Sequence, residues 1–169
     1  SHSAHQAQGK VILSYTGSSN ALIFDGGSVG SGVTNVKFLG NFVVAGTATT
    51  TDAIFCQALL RSRIEASVNG AGTTKAGLRT QWCVLTDFYV KVSSNEGAFV
   101  SIPANGYLLD QRAAGEFTAS CNFWNPIVEG VSGTGIKIVN GSQNNFFGGT
   151  SEGNNRGVEI ATGGNNLAN

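Results

Sequence analysis

The chain has 169 residues, with ten Lys plus Arg against ten Asp plus Glu, and so no net charge. That length is one domain. The charge balance leaves no basic stripe for nucleic acid, and no apolar run approaches the ~18 residues that cross a membrane as a helix. The 24 glycines are about twice the usual ~7% share but lack collagen's every-third-residue period, and the many Val, Ile, Leu and Phe exclude a disordered chain.

In chain order, residues 1–9 open with a polar stretch that lacks the apolar core of a signal peptide. They are expected as a flexible tail, and 10–169 as the folded domain. Short runs of strand formers follow at 21–24 (Ala-Leu-Ile-Phe), 53–56 (Ala-Ile-Phe-Cys), 78–81 (Leu-Arg-Thr-Gln), 107–110 (Tyr-Leu-Leu-Asp), 136–138 (Ile-Lys-Ile) and 158–160 (Val-Glu-Ile). Gly precedes each of the last four. A second column holds Phe38, Ile64, Phe88, Phe123, Phe146 and Leu167, at intervals of 26, 24, 35, 23 and 21 residues. No window of 10–12 residues has helical apolar spacing; 52–64 is the nearest and is rich in strand formers.

Near the C-terminus the template recurs by identity. Asn122-Phe123, Glu129-Gly130 and 135–138 return as Asn145-Phe146, Glu152-Gly153 and 157–160, and Asn166-Leu167 begins another copy. A period of ~20–50 residues is the mark of a solenoid. A leucine-rich repeat would need regularly placed Leu, whereas this column is aromatic. The alternation of Ile136, Lys137 and Ile138, repeated in Val158, Glu159 and Ile160, predicts strands with one face inside. Stacking ~4.8 Å apart would pair Ile136 with Val158, Ile138 with Ile160, and Lys137 with Glu159. Glycines are expected at the corners, where φ is positive. Asn144, Asn145, Asn165 and Asn166 are expected as corner residues whose amides stack from coil to coil. The expected fold is therefore all-β, a right-handed single-stranded parallel β-helix of about six coils. The interrupted last copy suggests a fragment of a longer solenoid, with an open edge that invites another chain.

Several stretches carry a family resemblance. They are Val-Ile-Leu-Ser-Tyr-Thr-Gly at 11–17, Thr-Asn-Val-Lys-Phe at 34–38, Phe-Trp-Asn-Pro-Ile-Val-Glu-Gly at 123–130 and Asn-Phe-Phe-Gly-Gly-Thr-Ser-Glu-Gly-Asn at 145–154. Together they resemble the parallel β-helix of the pectate-lyase-like superfamily, and within it bacteriophage tailspike and tail-fibre proteins. The resemblance implies recognition, with possible depolymerisation, of bacterial surface polysaccharide. It also implies a homotrimer, and a place on a virion tail or a cell surface. The alternatives are a structural, self-associating shaft without activity, and a free-standing polysaccharide lyase or hydrolase. Lyases of that superfamily use Arg or Lys with acidic calcium ligands, and no clustered Asp set matches them here.

Candidate chemistry is sparse. No catalytic, phosphate-binding or metal-ligand motif is present, and no cofactor is expected. His2 and His5 both fall in the expected tail. Cys56, Cys83 and Cys121 read as buried apolar thiols. Glu129 and Glu152 occupy one template position; stacked coils would bring them to the ~5 Å of a retaining glycosidase pair, or they are solvated turn residues. Asp87, Glu96, Asp110 and Glu116 lie in or around the longest coil. The doublets Phe88-Tyr89, Phe123-Trp124 and Phe146-Phe147 place one ring inside and the other outside if strand geometry holds. Tyr89, Trp124 and Phe147 would then form a surface ladder, for sugar rings or a subunit seam; a corner would instead turn both rings inwards.

Overall fold

The computed structural model describes residues 4–15, 17–27, 31–46, 52–69, 75–93 and 103–161; the side chains of 4–10 and 46 are not described. Among these residues every regular element is a strand. The first level holds β1 (Ala4–Tyr15), β2 (Leu22–Asp25) and β3 (Val33–Thr34), and the second β4 (Lys37–Gly46), β5 (Asp52–Gln57) and β6 (Leu59–Leu60). The third holds β7 (Arg63–Asn69) and β8 (Ala76–Gln81), and the fourth β9 (Asp87–Ser93), β10 (Asn105–Asp110) and β11 (Thr118–Ala119). The fifth holds β12 (Asn122–Trp124), β13 (Ile127–Glu129), β14 (Thr134–Ile138) and β15 (Gly141–Ser142), and the sixth β16 (Asn145–Phe147), β17 (Thr150–Glu152) and β18 (Arg156–Ile160).

These strands stack in parallel. The larger sheet runs β1-β4-β7-β9-β12-β16, with β13 and β17 continuing its fifth and sixth levels; the facing sheet runs β2-β5-β8-β10-β14-β18. The chain is thus an all-β parallel solenoid of the β-helix type. β1 begins at Ala4 and pairs with β4 from there, so its ladder takes in residues 4–7 of the expected tail. Backbone pairing of this kind needs no apolar side chain.

The register explains the repeat. Phe38, Ile64, Phe88, Phe123 and Phe146 are successive partners across β4, β7, β9, β12 and β16. Phe88, Phe123 and Phe146 stack with centroids 5.0 and 4.6 Å apart and planes within 13°. Ile136 pairs with Val158 and Ile138 with Ile160, as the repeat predicts. Leu167, Asn165 and Asn166 lie outside the described residues. Between the second and third levels the expected alignment is one residue off: Ile54, not Ala53, pairs with Leu78. A one-residue slip reverses every side chain, and only this register keeps Ile54 and Cys56 facing inwards.

The expectation for glycine is overturned at four positions. Gly77, Gly106, Gly135 and Gly157 lie inside β8, β10, β14 and β18, without positive φ. What most of them provide is room. A Cβ on Gly106 would sit 2.1 Å from Val128 Cγ1 and 2.6 Å from the Gly135 carbonyl oxygen; Gly77 and Gly135 meet Val92 and Ser151 as closely. Gly106→Ala is therefore expected to destabilise by about 1–3 kcal/mol through overpacking, read as a lower urea midpoint with unchanged slope; an unchanged midpoint would refute the close approach. Many of the left-handed corners fall instead to Ala58, Arg61, Trp82, Leu85, Ser120, Asn125 and Gln143, with φ of 45–54°. Such residues cost roughly 1–2 kcal/mol each. The cost is offset by a ladder: the N–H groups of Ala58, Arg61, Ser120 and Asn125 each donate to a carbonyl one level on, at 2.8–3.1 Å.

Several interior polar groups find partners within the fold. The Tyr107 hydroxyl donates to the Val90 carbonyl. Cys56, Cys83 and Cys121 are free and buried; the Cys83 thiol donates to the Cys56 carbonyl and the Cys121 thiol to the Cys83 carbonyl. Burial pushes the Cys83 thiol up to about 12, so it is an inert core group. Asn144 joins two levels, accepting from the Cys121 N–H at 3.1 Å and donating to the Thr118 carbonyl at 2.9 Å. Outside, Lys137 and Glu159 pair at 3.0 Å. Hydrogen bonds from Lys137, Thr134 and Arg156 hold the Glu159 carboxyl down at about 2.

Candidate functional site

The outer face of the larger sheet carries most of the expected site residues. Strand alternation turns Phe88 and Phe123 inwards and Tyr89 and Trp124 outwards; Phe147 follows at the sixth level, 44% exposed. The three outer rings form one column. Tyr89 and Trp124 are 6.0 Å apart with planes 12° from parallel, and Trp124 and Phe147 are 4.3 Å apart and 18° from parallel. The Arg63 guanidinium lies over Tyr89, 4.2 Å from its centroid. Both faces of Trp124 are thus covered by its neighbours, and one face of Tyr89 by a cation. What the column offers outwards is ring edges, plus the far face of Phe147.

A polar column runs beside the rings. Asn145 Nδ2 donates to Asn122 Oδ1 at 3.1 Å, and Asn122 Nδ2 donates to Asp87 Oδ1 at 3.0 Å. The Trp124 indole N–H donates to the same Asp87 oxygen at 3.1 Å. This relay ends on a carboxylate, which polarises each bond in turn and sets the indole in its plane.

Glu129 and Glu152 are direct partners in the β13–β17 ladder, and Ser93 precedes them in the same column. The Ser93 hydroxyl donates to Glu129 Oε2 at 2.6 Å. Glu129 is half-buried and Glu152 exposed, so the column lies on an open face rather than in a cleft. The other acidic candidates do not join them. Asp110 pairs with Arg79 at 2.7 Å, Glu116 with Arg112 at 2.6 Å, and Asp87 belongs to the amide relay. Glu96 lies outside the described residues. Among the described residues, no three His, Cys, Asp or Glu side chains come together as metal ligands.

A depression at the head of the ring column is not visible in the sequence. The β4–β7 register jumps from Phe38↔Ile64 to Val43↔Ser67, so four residues of β4 face two of β7. This bulge turns Phe42 back to stack on Phe38 at 4.0 Å. It leaves a hollow of about 370 Å³ lined by Asn41, Glu65, Ser67, Tyr89 and Lys91. Gly40, at φ 129°, is the one local sign of it. Glu65 is used by the fold: Oε2 accepts from the Gly40 N–H at 3.1 Å, and Oε1 lies 2.6 Å from Arg63. A second hollow, about 340 Å³, is lined by Ile136, Ile138, Phe146, Val158 and Ile160. It is the space between the two sheets at the last described level, and residues 162–169, which follow, lie outside the description.

Fold and site together define the class of protein, a parallel β-solenoid with an aromatic and polar outer face. Comparison with known proteins finds no matching family model, no similar curated protein and no similar solved structure.

Proposed function

We propose that this chain is a tailspike-like β-helix module that recognises a bacterial surface polysaccharide, on a virion tail or a cell surface. The observation that carries the reading is a set of hydrogen-bonding groups that the fold leaves unused. The Asn41 amide, the Ser67 and Tyr89 hydroxyls and the Lys91 ammonium all line one hollow, and none has a partner among the described residues. Elsewhere on this face Asn122, Asn145, Trp124 and Glu129 are engaged with their neighbours. A polymer laid along the axis meets a new level about every 4.8 Å, with ring edges and amides beside it. Binding is favoured over cleavage. Glycosidic hydrolysis places two carboxyl groups around one bound sugar, and Glu129 and Glu152 stand on an open face rather than in a cleft.

The test is calorimetric titration of the chain with capsular and O-antigen polysaccharides, with new reducing ends followed in parallel. Saturable binding is expected, weakened about tenfold by Asn41→Ala with Ser67→Ala, the size of one or two lost hydrogen bonds, with few reducing ends formed. Turnover abolished by Glu129→Gln or Glu152→Gln would make the pair catalytic instead.

A second reading, a self-associating structural shaft, is favoured by the covered ring faces. A column whose rings face one another stiffens the stack and leaves little flat surface for a sugar. A chain that binds no polysaccharide yet forms a discrete oligomer, such as a trimer, by light scattering would take this reading.

A further inference from the structure

We infer that the hollow at the head of the ring column selects a sugar unit bearing a carboxylate, with Lys91 as its counter-charge; this rests on the polysaccharide reading above. The argument is a local balance of charge. The hollow itself is lined by one cation, Lys91, and one anion, Glu65, which Arg63 holds from beside it. Arg63 is committed, held 2.6 Å from Glu65 and stacked over Tyr89. Glu65 is committed in turn, one oxygen to Arg63 and the other to the Gly40 N–H. Lys91, exposed on β9 between Tyr89 and Ser93, has no partner among the described residues, so the hollow keeps one uncompensated positive charge. Its other unused groups, an amide and two hydroxyls, donate and accept equally well and suit the ring hydroxyls of the same sugar. A neutral sugar would leave the ammonium with water as its only partner. A carboxylate turns it into a charge-assisted bond, roughly twice as strong as a neutral one.

The experiment titrates the chain with a uronate polysaccharide and with the same polymer after its carboxyls are reduced to alcohols, at low and moderate salt. The expected result is about tenfold weaker binding of the reduced polymer, and a similar loss for Lys91→Met with the uronate form only. Lys91→Arg should bind within about threefold of the parent. Lys37→Met, exposed at the start of β4 and outside the hollow, should bind as the parent does. Equal binding of both polymers, or equal losses from Lys37→Met and Lys91→Met, would overturn the assignment while leaving polysaccharide recognition standing. Failure to bind either form, or any other polysaccharide, would sink both.

Discussion

Asp52 alone should make the folded chain up to about 3 kcal/mol more stable at pH 4 than at pH 7, against a smaller opposite contribution from Glu159. Asp52 opens β5 with no solvent exposure. Its Oδ1 accepts from the Ala76 N–H at 3.1 Å, while its Oδ2 has no hydrogen-bond partner and stands 3.7 Å from an Arg79 nitrogen. Arg79 gives its short contact, 2.7 Å, to Asp110 instead. Burial therefore outweighs the pull of Arg79 and Lys75, and raises the Asp52 carboxyl from 3.8 to about 6. Between those values the folded state holds a proton that the unfolded state has released. Stability then falls as pH rises through that window and stays lower above it. The gap from 3.8 to about 6 corresponds to about 3 kcal/mol. Urea titrations at half-unit steps from pH 4 to 8 read it directly. Asp52→Asn, which keeps the acceptor for Ala76, should flatten the profile. A difference between the parent and Asp52→Asn profiles that stays flat between pH 4 and 6 would refute the account.

The largest single loss of packing is expected from Phe123→Ala. Phe123 is fully buried, lies between Phe88 and Phe146 and touches Tyr107 from the facing sheet at 5.8 Å. Truncating a buried Phe costs about 3–5 kcal/mol, and here the cavity would open between two stacked rings held at fixed level spacing. Phe146→Ala should cost less, since Phe146 is only half-buried at the sixth level. Paired urea midpoints would read both. A loss below about 1 kcal/mol for Phe123→Ala, or a larger loss for Phe146→Ala, would contradict the stacking described here.

The inner column was legible because it recurs by identity at 23 residues, from Asn122-Phe123 to Asn145-Phe146. The earlier levels keep only the class of residue, so the step from β5 to β8 was read one residue off: Ala53 and Ile54 are both apolar, and nothing local says which faces in. The glycines before 78, 107, 136 and 158 were misread for a related reason. A sequence displays a residue's neighbours along the chain, and Gly106 exists for Val128, 22 positions away. The ring doublets told which residues alternate, yet not that the outer rings would cover one another. The hollow depends on two extra residues in β4, a change of register with no compositional signature beyond Gly40. Asp52 was not singled out in the sequence, since only its burial sets its chemistry.

The short segment after β10 connects levels that the repeat keeps apart. Arg112 is bound to Glu116, lies 5.1 Å from the Trp82 ring centroid and donates to the carbonyl of Gly27, 85 residues earlier. Most of the other hydrogen bonds between levels join residues 23–38 apart, the Asn122–Asn145 and Cys83–Cys121 contacts among them. A solenoid of that kind can form by elongation, each turn templated by the last, and can unravel from either end in the same way. The Arg112 clasp has no such local route. It closes only after the first, third and fourth levels exist, so it contributes little to the rate of assembly. Once closed, it ties the first described level to the fourth, so that the two separate only after this contact breaks. A contact that closes this late is of the kind that slows unfolding more than it speeds folding.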